Sequence, residues 1–128
     1  MNNALSRNCS TMTTKKTART QAEIQASLAD LQARYAASLP EKIRQLQAFW
    51  QAVCADPENP VPRESLELAS HKLAGSGSSY GFPYVTRLAR QIEERIRASH
   101  GQPLSAQGRN DIDRLLRALA ETVDHPEN

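Results

Sequence analysis

A single histidine carries the strongest indication of chemistry in this chain. His71 lies in the segment from Glu64 to Gly81, whose apolar residues recur with a helical period. With successive residues about 100° apart around the helix axis, the apolar stripe centres on Leu73 and His71 falls about 160° away from it. An exposed imidazole is mostly neutral in the cytoplasm, and its free ring nitrogen is a nucleophile. We therefore predict a reactive histidine that faces solvent and is offered to a partner.

The residues around His71 on the helical wheel complete the candidate site. Gly75 follows one turn later, and its missing side chain leaves one side of the ring uncovered at a helix-propensity cost of about 1 kcal/mol. We expect Ser78 to shape the site or contact a bound oxygen, and we expect Leu68 and Glu64 to contact a docking partner. An ordinary polar surface explains Ser78 equally well, and a solitary exposed leucine such as Leu68 is common. For His71 the alternative is an idle surface residue.

Length and composition favour one soluble globular domain. The chain has 128 residues, of which 39% are hydrophobic and 23% charged, and a formal net charge of +2, too small to indicate nucleic-acid binding. No stretch approaches the roughly 20 apolar residues of a membrane span, and the N-terminus lacks the apolar core of a secretory signal. Cys9 and Cys54 follow no metal or redox spacing. We expect a monomeric cytoplasmic protein that binds no membrane.

The N-terminal part of the chain divides into a tail and an accessory helix. Residues 1–19 contain no acidic residue and show no helical period, which predicts a flexible tail. Its scattered basic residues are more typical of solvation than of a nucleic-acid arm. A capping box at Thr20-Gln-Ala-Glu23 predicts the start of an accessory helix over residues 20–38. A second capping box at Ser38-Leu-Pro40-Glu41 predicts that a new helix begins there.

Residues 39–124 are predicted to form a helical bundle. Pro62 opens the helix of the candidate histidine, and Gly81 ends it as a residue that readily adopts positive φ. Pro83 begins the next helix, and Ser105 caps the last one. Each helix has one apolar stripe, the links are short, and no alternating strand pattern occurs. The prediction is an all-α protein: an antiparallel up-down-up-down four-helix bundle with an additional N-terminal helix.

The remaining charged residues and histidines indicate no further functional site. The helix that begins at Pro83 carries a run of acidic and basic residues, namely Arg90, Glu93, Glu94, Arg95 and Arg97. We interpret this run as an ordinary solvated helix face. The other two histidines, His100 and His125, lie in a turn and in the C-terminal tail, so the three histidines predict no metal site.

The stretch from Ala69 to Phe82 resembles the signature of histidine phosphotransfer (HPt) domains. In that family the phosphorylatable histidine is followed by an apolar residue at +2, a glycine at +4 and a small residue at +5. A further glycine and an aromatic or apolar residue come near +10 and +11. This chain supplies them as Leu73, Gly75, Ser76, Gly81 and Phe82. The family fold is an antiparallel four-helix bundle with the histidine exposed in mid-helix, and the resemblance covers about residues 38–124.

One position departs from the family pattern. Many HPt domains carry a lysine at +3 from the histidine, where this chain has Ala74, and the lysine here is Lys72 at +1. On the wheel Lys72 lies about 100° from His71, so its long side chain either reaches the flank of the site or faces water. The resemblance implies that Lys72, Gly75 and Ser78 stabilise a phosphoryl group or shape the site around it.

The resemblance implies a phosphocarrier of two-component signalling rather than an autonomous enzyme. It would accept a phosphoryl group on His71 from the aspartate of one receiver domain and pass it to another. The receiver domain, in a response regulator or a hybrid histidine kinase, would supply the aspartate and Mg²⁺, so this chain would need no cofactor or kinase domain. The alternative is a phosphorylation-independent helical docking module that binds a receiver or kinase domain, which the alanine at +3 keeps open. A nucleic-acid binder using the basic tail is a third class, disfavoured by the small net charge.

Overall fold

The structure is a computed structural model that describes the backbone of residues 2–124 and the side chains of residues 20–123. Within those residues it contains four helices and no strand, so the all-α prediction is confirmed. The helices are α1 (Asn2–Ala55), α2 (Pro60–Ser79), α3 (Pro83–Ala98) and α4 (Ala106–Asp124). None of the helices, as far as they are described, is long and apolar enough to cross a membrane.

The first of two compact units comprises Met1–Arg34, and the second comprises Tyr35–Asn128. In the first unit Ile24, Leu28 and Leu31 follow one stripe of α1 and are about half-exposed. Helix α1 begins at Asn2, so the helix start predicted at Thr20-Gln-Ala-Glu23 is wrong. The side chains of the predicted tail lie outside the described residues, and its flexibility stays a prediction.

Helix α1 continues through the point where the sequence predicted a new helix to begin. Pro40 lies inside α1, so the expected break at Ser38-Leu-Pro40-Glu41 is wrong. A proline in a helix removes the hydrogen bond to the residue four positions earlier, and packing on both sides can compensate for that loss. Leu39 and Ile43 are both buried in the core, one on each side of the proline. Tertiary packing therefore keeps the helix continuous where the local signal favours a boundary.

Local capping fixes both ends of α2. Asn59 is the N-cap, and its side-chain oxygen accepts a hydrogen bond from the Val61 amide at 3.1 Å, so the helix begins at Pro60 rather than at the predicted Pro62. At the other end Gly81 has φ of 82°, as predicted for the residue that stops the helix. The Phe82 amide then donates to the Gly77 carbonyl at 2.7 Å, which closes the turn.

The starts of α3 and α4 follow the sequence signals. Helix α3 begins at Pro83, which occupies its first turn without losing a hydrogen bond. The Ser105 hydroxyl accepts from the Gly108 amide at 3.1 Å and so caps α4. Both predicted boundaries are confirmed. They could be predicted because each depends on residues that are adjacent in sequence.

The core of the second unit lies among all four helices. Its largest fully buried aliphatic side chains come from each of the helices in turn: Leu46, Leu66, Ile92, Ile112 and Leu119. Trp50 of α1 donates its indole N–H to Asp113 of α4 at 2.6 Å, which satisfies the polar end of a buried ring. These contacts join the first and last helices of the bundle.

Helices α2 and α3 approach each other closely at a glycine. A side-chain carbon at Gly77 would lie 2.6 Å from the hydroxyl oxygen of Thr86, so only a hydrogen fits there. The Thr86 hydroxyl donates to the Ala74 carbonyl at 2.9 Å across the same contact. Further along, His71 meets Glu93, so residue numbers fall along one helix as they rise along the other. The two helices therefore run antiparallel in a fixed register.

The opposite end of α2 is tied to two links by a buried arginine. Arg63 is 4% exposed, and its guanidinium donates to the Pro57 carbonyl at 3.0 Å and to the Gly101 carbonyl at 2.6 Å. Pro57 lies between α1 and α2, and Gly101 lies between α3 and α4. Gly101 and His100 both have positive φ, which produces the tight turn that brings the carbonyl to the guanidinium.

The two glycines of α2 should respond in opposite ways to alanine. Gly77→Ala should lower the free energy of unfolding by about 1 kcal/mol or more, because overpacking against Thr86 outweighs the gain in helix propensity. Gly75→Ala is the matched control, since a side-chain carbon there meets no atom within 4 Å. It should raise the same free energy by about 0.5–1 kcal/mol. Urea unfolding followed by circular dichroism measures both, and equal shifts would contradict the close contact.

Candidate functional site

The candidate histidine is exposed in the middle of α2. The side chain of His71 is 63% accessible, whereas Leu73 and Ala74 on the opposite side of the helix are buried. One turn later, Gly75 has open space where a side chain would be. The ring is thus accessible to a macromolecular partner along the surface of α2.

A buried carboxylate holds one edge of the imidazole. His71 Nδ1 lies 2.7 Å from Oε2 of Glu93, which is only 5% exposed. The same oxygen accepts an ion-pair contact from Arg97 at 2.8 Å, one turn further along α3. Arg97 also contacts Glu67 of α2 at 3.2 Å. Glu93 therefore bridges an exposed imidazole and a guanidinium, which compensates for burying a charged group.

This contact determines which ring nitrogen of His71 keeps a free lone pair in the neutral ring. An ionised carboxylate can only accept hydrogen bonds, so the Nδ1 of the ring must carry the proton that Glu93 accepts. In the neutral ring the other nitrogen, Nε2, then keeps its lone pair. The pairing thus favours the tautomer protonated at Nδ1, orients the ring, and leaves the Nε2 lone pair unused by Glu93.

The prediction of an ordinary solvated face on α3 is wrong at Glu93. The carboxylate is buried against α2, whereas its neighbour Glu94 is exposed. The sequence did contain a signal, because Glu93 is four residues after Ala89 and three before Ile96, both of which are core positions. An acidic residue within an apolar stripe needs a partner, and the partner here comes from another helix.

The lysine next to the histidine lies on the other flank of α2. Lys72 is exposed and lines an open cleft of about 290 Å³ between α1 and α2, together with Lys42 and Ser76. The Glu93 carboxylate approaches His71 from α3, on the opposite flank. The structure therefore separates Lys72 from the carboxylate that orients the ring.

The other predicted site residues share the exposed surface of α2. Leu68 is 55% exposed, one turn before His71, and Glu64 is exposed a further turn away. Ser78 is exposed on the other side of Gly75 and lines a groove between α2 and α3. Among the residues with described side chains, no three His, Cys, Asp or Glu residues gather closely enough to hold a metal ion.

An aromatic cluster packs against the C-terminal half of α2 on the side that faces α1. The Tyr35 ring stacks on Tyr80 with ring centroids 4.8 Å apart, and Phe82 lies 5.3 Å away. The Tyr35 and Ser76 hydroxyl oxygens are 2.7 Å apart and share a hydrogen bond. Burial raises the pKa of Tyr35 above its usual value, an effect that the hydrogen bond between Tyr35 and Ser76 partly offsets. The phenol thus stays neutral and anchors α1 to α2.

Comparison with known protein families agrees with this arrangement. The chain matches the family model described as the Hpt domain over residues 30–124. Since that match covers well over half of the chain, the protein belongs to the Hpt domain family, as its sequence motif predicted. Membership implies histidine phosphotransfer in phosphorelays, in which domains of this family interact with receiver domains. No curated protein and no solved structure matches the chain significantly.

Replacing Glu93 should change the tautomer of His71. In Glu93→Leu no carboxylate accepts the Nδ1 proton, so the neutral ring should lose its preference for protonation at Nδ1. Glu93→Gln is the matched control, because its amide oxygen still accepts that hydrogen bond. Nitrogen-15 NMR of the histidine ring distinguishes the tautomers. An unchanged tautomer in a folded Glu93→Leu variant would show that Glu93 does not orient the ring.

Proposed function

We propose that this protein relays a phosphoryl group between the aspartates of receiver domains through His71, as a phosphocarrier without a kinase domain. The observation that supports this best is the exposed imidazole whose Nδ1 edge is held by a buried carboxylate. That pairing leaves Nε2 free on an accessible helix surface. An idle surface histidine needs no buried partner, whereas a nucleophile benefits from a fixed tautomer and orientation.

The proposed step is an in-line displacement at phosphorus. The Nε2 lone pair of His71 forms the N–P bond while the P–O bond to the partner's aspartate breaks, and the aspartate leaves as a carboxylate. Because Nε2 carries no proton in this tautomer, no base has to remove one. Transfer to a second receiver domain reverses these events: its aspartate attacks, the N–P bond breaks, and Nε2 regains its lone pair.

Glu93 has an electrostatic role in this step. When Nε2 bonds to phosphorus and Nδ1 keeps its proton, the ring acquires positive charge. The Glu93 carboxylate, 2.7 Å from Nδ1, stabilises that charge. Its contact with Arg97 keeps the carboxylate in place throughout the cycle. Glu93 is therefore a positioning residue, and His71 is the residue that reacts.

The charge of the transferring group is neutralised chiefly by the partner. The receiver domain would contribute its aspartate and Mg²⁺, so the histidine would be the only reacting group that this chain contributes. Lys72 would add positive charge on the α1 flank, where its ammonium has water as an alternative neighbour. Gly75 and Ser78 would shape the approach, since neither carries a bulky side chain. Ala74 is buried, so a lysine at that position could not remain in the core unchanged.

Docking would place the partner over the surface of α2 that contains His71. Leu68 presents an apolar side chain one turn away, and Glu64 extends the same surface with an exposed carboxylate. A central apolar contact surrounded by polar groups is the usual composition of a protein interface. We propose that the carrier acts as a monomer in the cytoplasm and meets receiver domains of a response regulator or a hybrid histidine kinase.

A docking module that works without phosphorylation is the second candidate. The observation that favours it is the absence of a lysine at Ala74, which leaves less positive charge near the ring than many members of the family carry. In that case the helical surface would bind a receiver or kinase domain, and His71 would not need to react.

The test is transfer from a panel of phosphorylated receiver domains to the wild-type protein and to His71→Gln. Wild type should acquire label that is lost in acid and retained in base, as for phosphohistidine. His71→Gln should acquire none, because the glutamine amide is not a nucleophile. Label on His71→Gln would exclude this site, and failure of every receiver to label a folded wild type would favour the docking module.

Kinetics should separate the positioning role of Glu93 from a structural one. Glu93→Leu should slow transfer at saturating phosphorylated receiver by on the order of tenfold, because the ring loses both orientation and charge compensation. Glu93→Gln should retain more of the rate, since its amide oxygen still accepts from Nδ1. Rapid-quench measurement of label on His71 gives both rates. Equal rates for the two variants would remove the proposed role of the hydrogen bond.

A further inference from the structure

A second surface feature lies about two helical turns beyond the histidine, at the turn between α2 and α3. It is an open groove of about 760 Å³, larger than a single side chain needs. Ser78 and Gly81 form one side of this groove, and Arg87, Arg90 and Glu94 of α3 line the other. The phosphoryl-transfer step described above uses none of the α3 residues that line it.

Two arginines in this groove are available to bind an anion. Within the part of the chain whose side chains are described, neither Arg87 nor Arg90 forms an ion pair, whereas Arg95 and Arg97 of the same helix each contact carboxylates. Arg87 lies over the Tyr84 ring at 5.7 Å, which holds its side chain. Its N–H groups contact no carboxylate among the described side chains. Both arginines are exposed.

The direction of the side chains separates this groove from the reacting ring. A helical side chain covers the turn N-terminal to its own Cα. On antiparallel α2 and α3, His71 therefore tilts away from the α2–α3 turn and Arg90 tilts towards it. The presence of Arg90 beside Ser78 and Gly81 in the groove agrees with that direction. Arg90 is thus suited to hold a group beside the reaction centre rather than the transferring phosphoryl group.

We propose that this groove, which we call the arginine groove, docks a carboxylate-bearing segment of the receiver-domain partner. The inference rests on the proposed function for the identity of that partner. Guanidinium groups bind carboxylates through two parallel hydrogen bonds, which gives both attraction and orientation. Ser78 adds a hydroxyl donor on the α2 side, one turn from Gly75.

The charge of the arginine groove matches an acidic partner. Its lining contains two arginines and one acidic side chain, Glu94, so a carboxylate from the partner meets a net positive surface. Glu94 opposes binding and so reduces affinity, which suits a carrier that must release one receiver before it meets the next. Long-range attraction would also speed the encounter at low ionic strength.

The decisive comparison uses two double variants with the same change in net charge. Arg87→Gln/Arg90→Gln removes the arginine groove, and Arg44→Gln/Arg109→Gln removes two exposed arginines of α1 and α4 as a control. The probe is the phosphorylated receiver domain that labels wild type fastest in the panel. The groove variant should raise KM about three- to tenfold with kcat within about twofold of wild type. The control should change both by less than about twofold.

Salt dependence gives a second readout of the same contact. The KM of wild type should rise between about 50 and about 300 mM salt, and the groove variant should show a smaller rise because fewer ion pairs remain to be screened. If the groove variant and the control raise KM over wild type by the same factor, the local contact is overturned. The effect would then come from the net charge of the protein. A fall in kcat at unchanged KM would also overturn docking, because the arginines would then act on the transferring group.

Binding measured without chemistry distinguishes failure of the arginine groove from failure of the relay. If no receiver labels wild type, the relay proposal fails, and calorimetry with each unphosphorylated receiver domain then tests the groove alone in a His71→Gln background. The groove is supported if its double variant binds a receiver at least about threefold more weakly than the control double variant does. It is rejected if the two bind equally or if no receiver binds.

Discussion

The close approach of α2 and α3 at Gly77 is the constraint on which the site depends. With only a hydrogen on Gly77, the Thr86 hydroxyl reaches the Ala74 carbonyl, and the two helices cannot slide past each other without breaking that contact. The resulting register places Glu93 opposite His71. A displacement by one helical turn, about 5.4 Å, would leave a buried carboxylate without its imidazole partner. Backbone packing therefore determines the chemistry of a side chain two turns away.

In the proposed relay, the groups that orient the histidine are distinct from the groups that would bind the partner. On one side, the Glu93 carboxylate contacts both Arg97 and Nδ1 of His71, so the charges of Glu93 and Arg97 are paired within the protein. On the other side, towards the α2–α3 turn, Arg87 and Arg90 keep their charges available. In the proposed relay, Arg87 and Arg90 would hold a partner while Glu93 orients the imidazole of His71.

Local features of the fold were predictable from sequence, and features that depend on helix register were not. Gly81 and Ser105 act on backbone groups within a few residues, so their capping roles follow from residue type. The helix boundary predicted at Pro40 is wrong because packing of α1 on the core outweighs a local helix-breaking signal. The exposure of His71 followed from helical periodicity, and the phosphotransfer family followed from the motif around it. The contact between Glu93 and His71 could not be predicted without knowing which helix faces α3. The position of Glu93 in an apolar stripe did indicate that its side chain is buried.

The buried guanidinium at the far end of the bundle links parts of the chain that are distant in sequence. Arg63 has two loop carbonyls as its acceptors, one at Pro57 and one at Gly101. If either loop opens, the charge loses half of its hydrogen bonds inside the protein and must be rehydrated. Opening of one link therefore favours opening of the other, so the two links form a single cooperative unit. The two loops at this end of the molecule are therefore expected to open together, although they lie far apart in sequence.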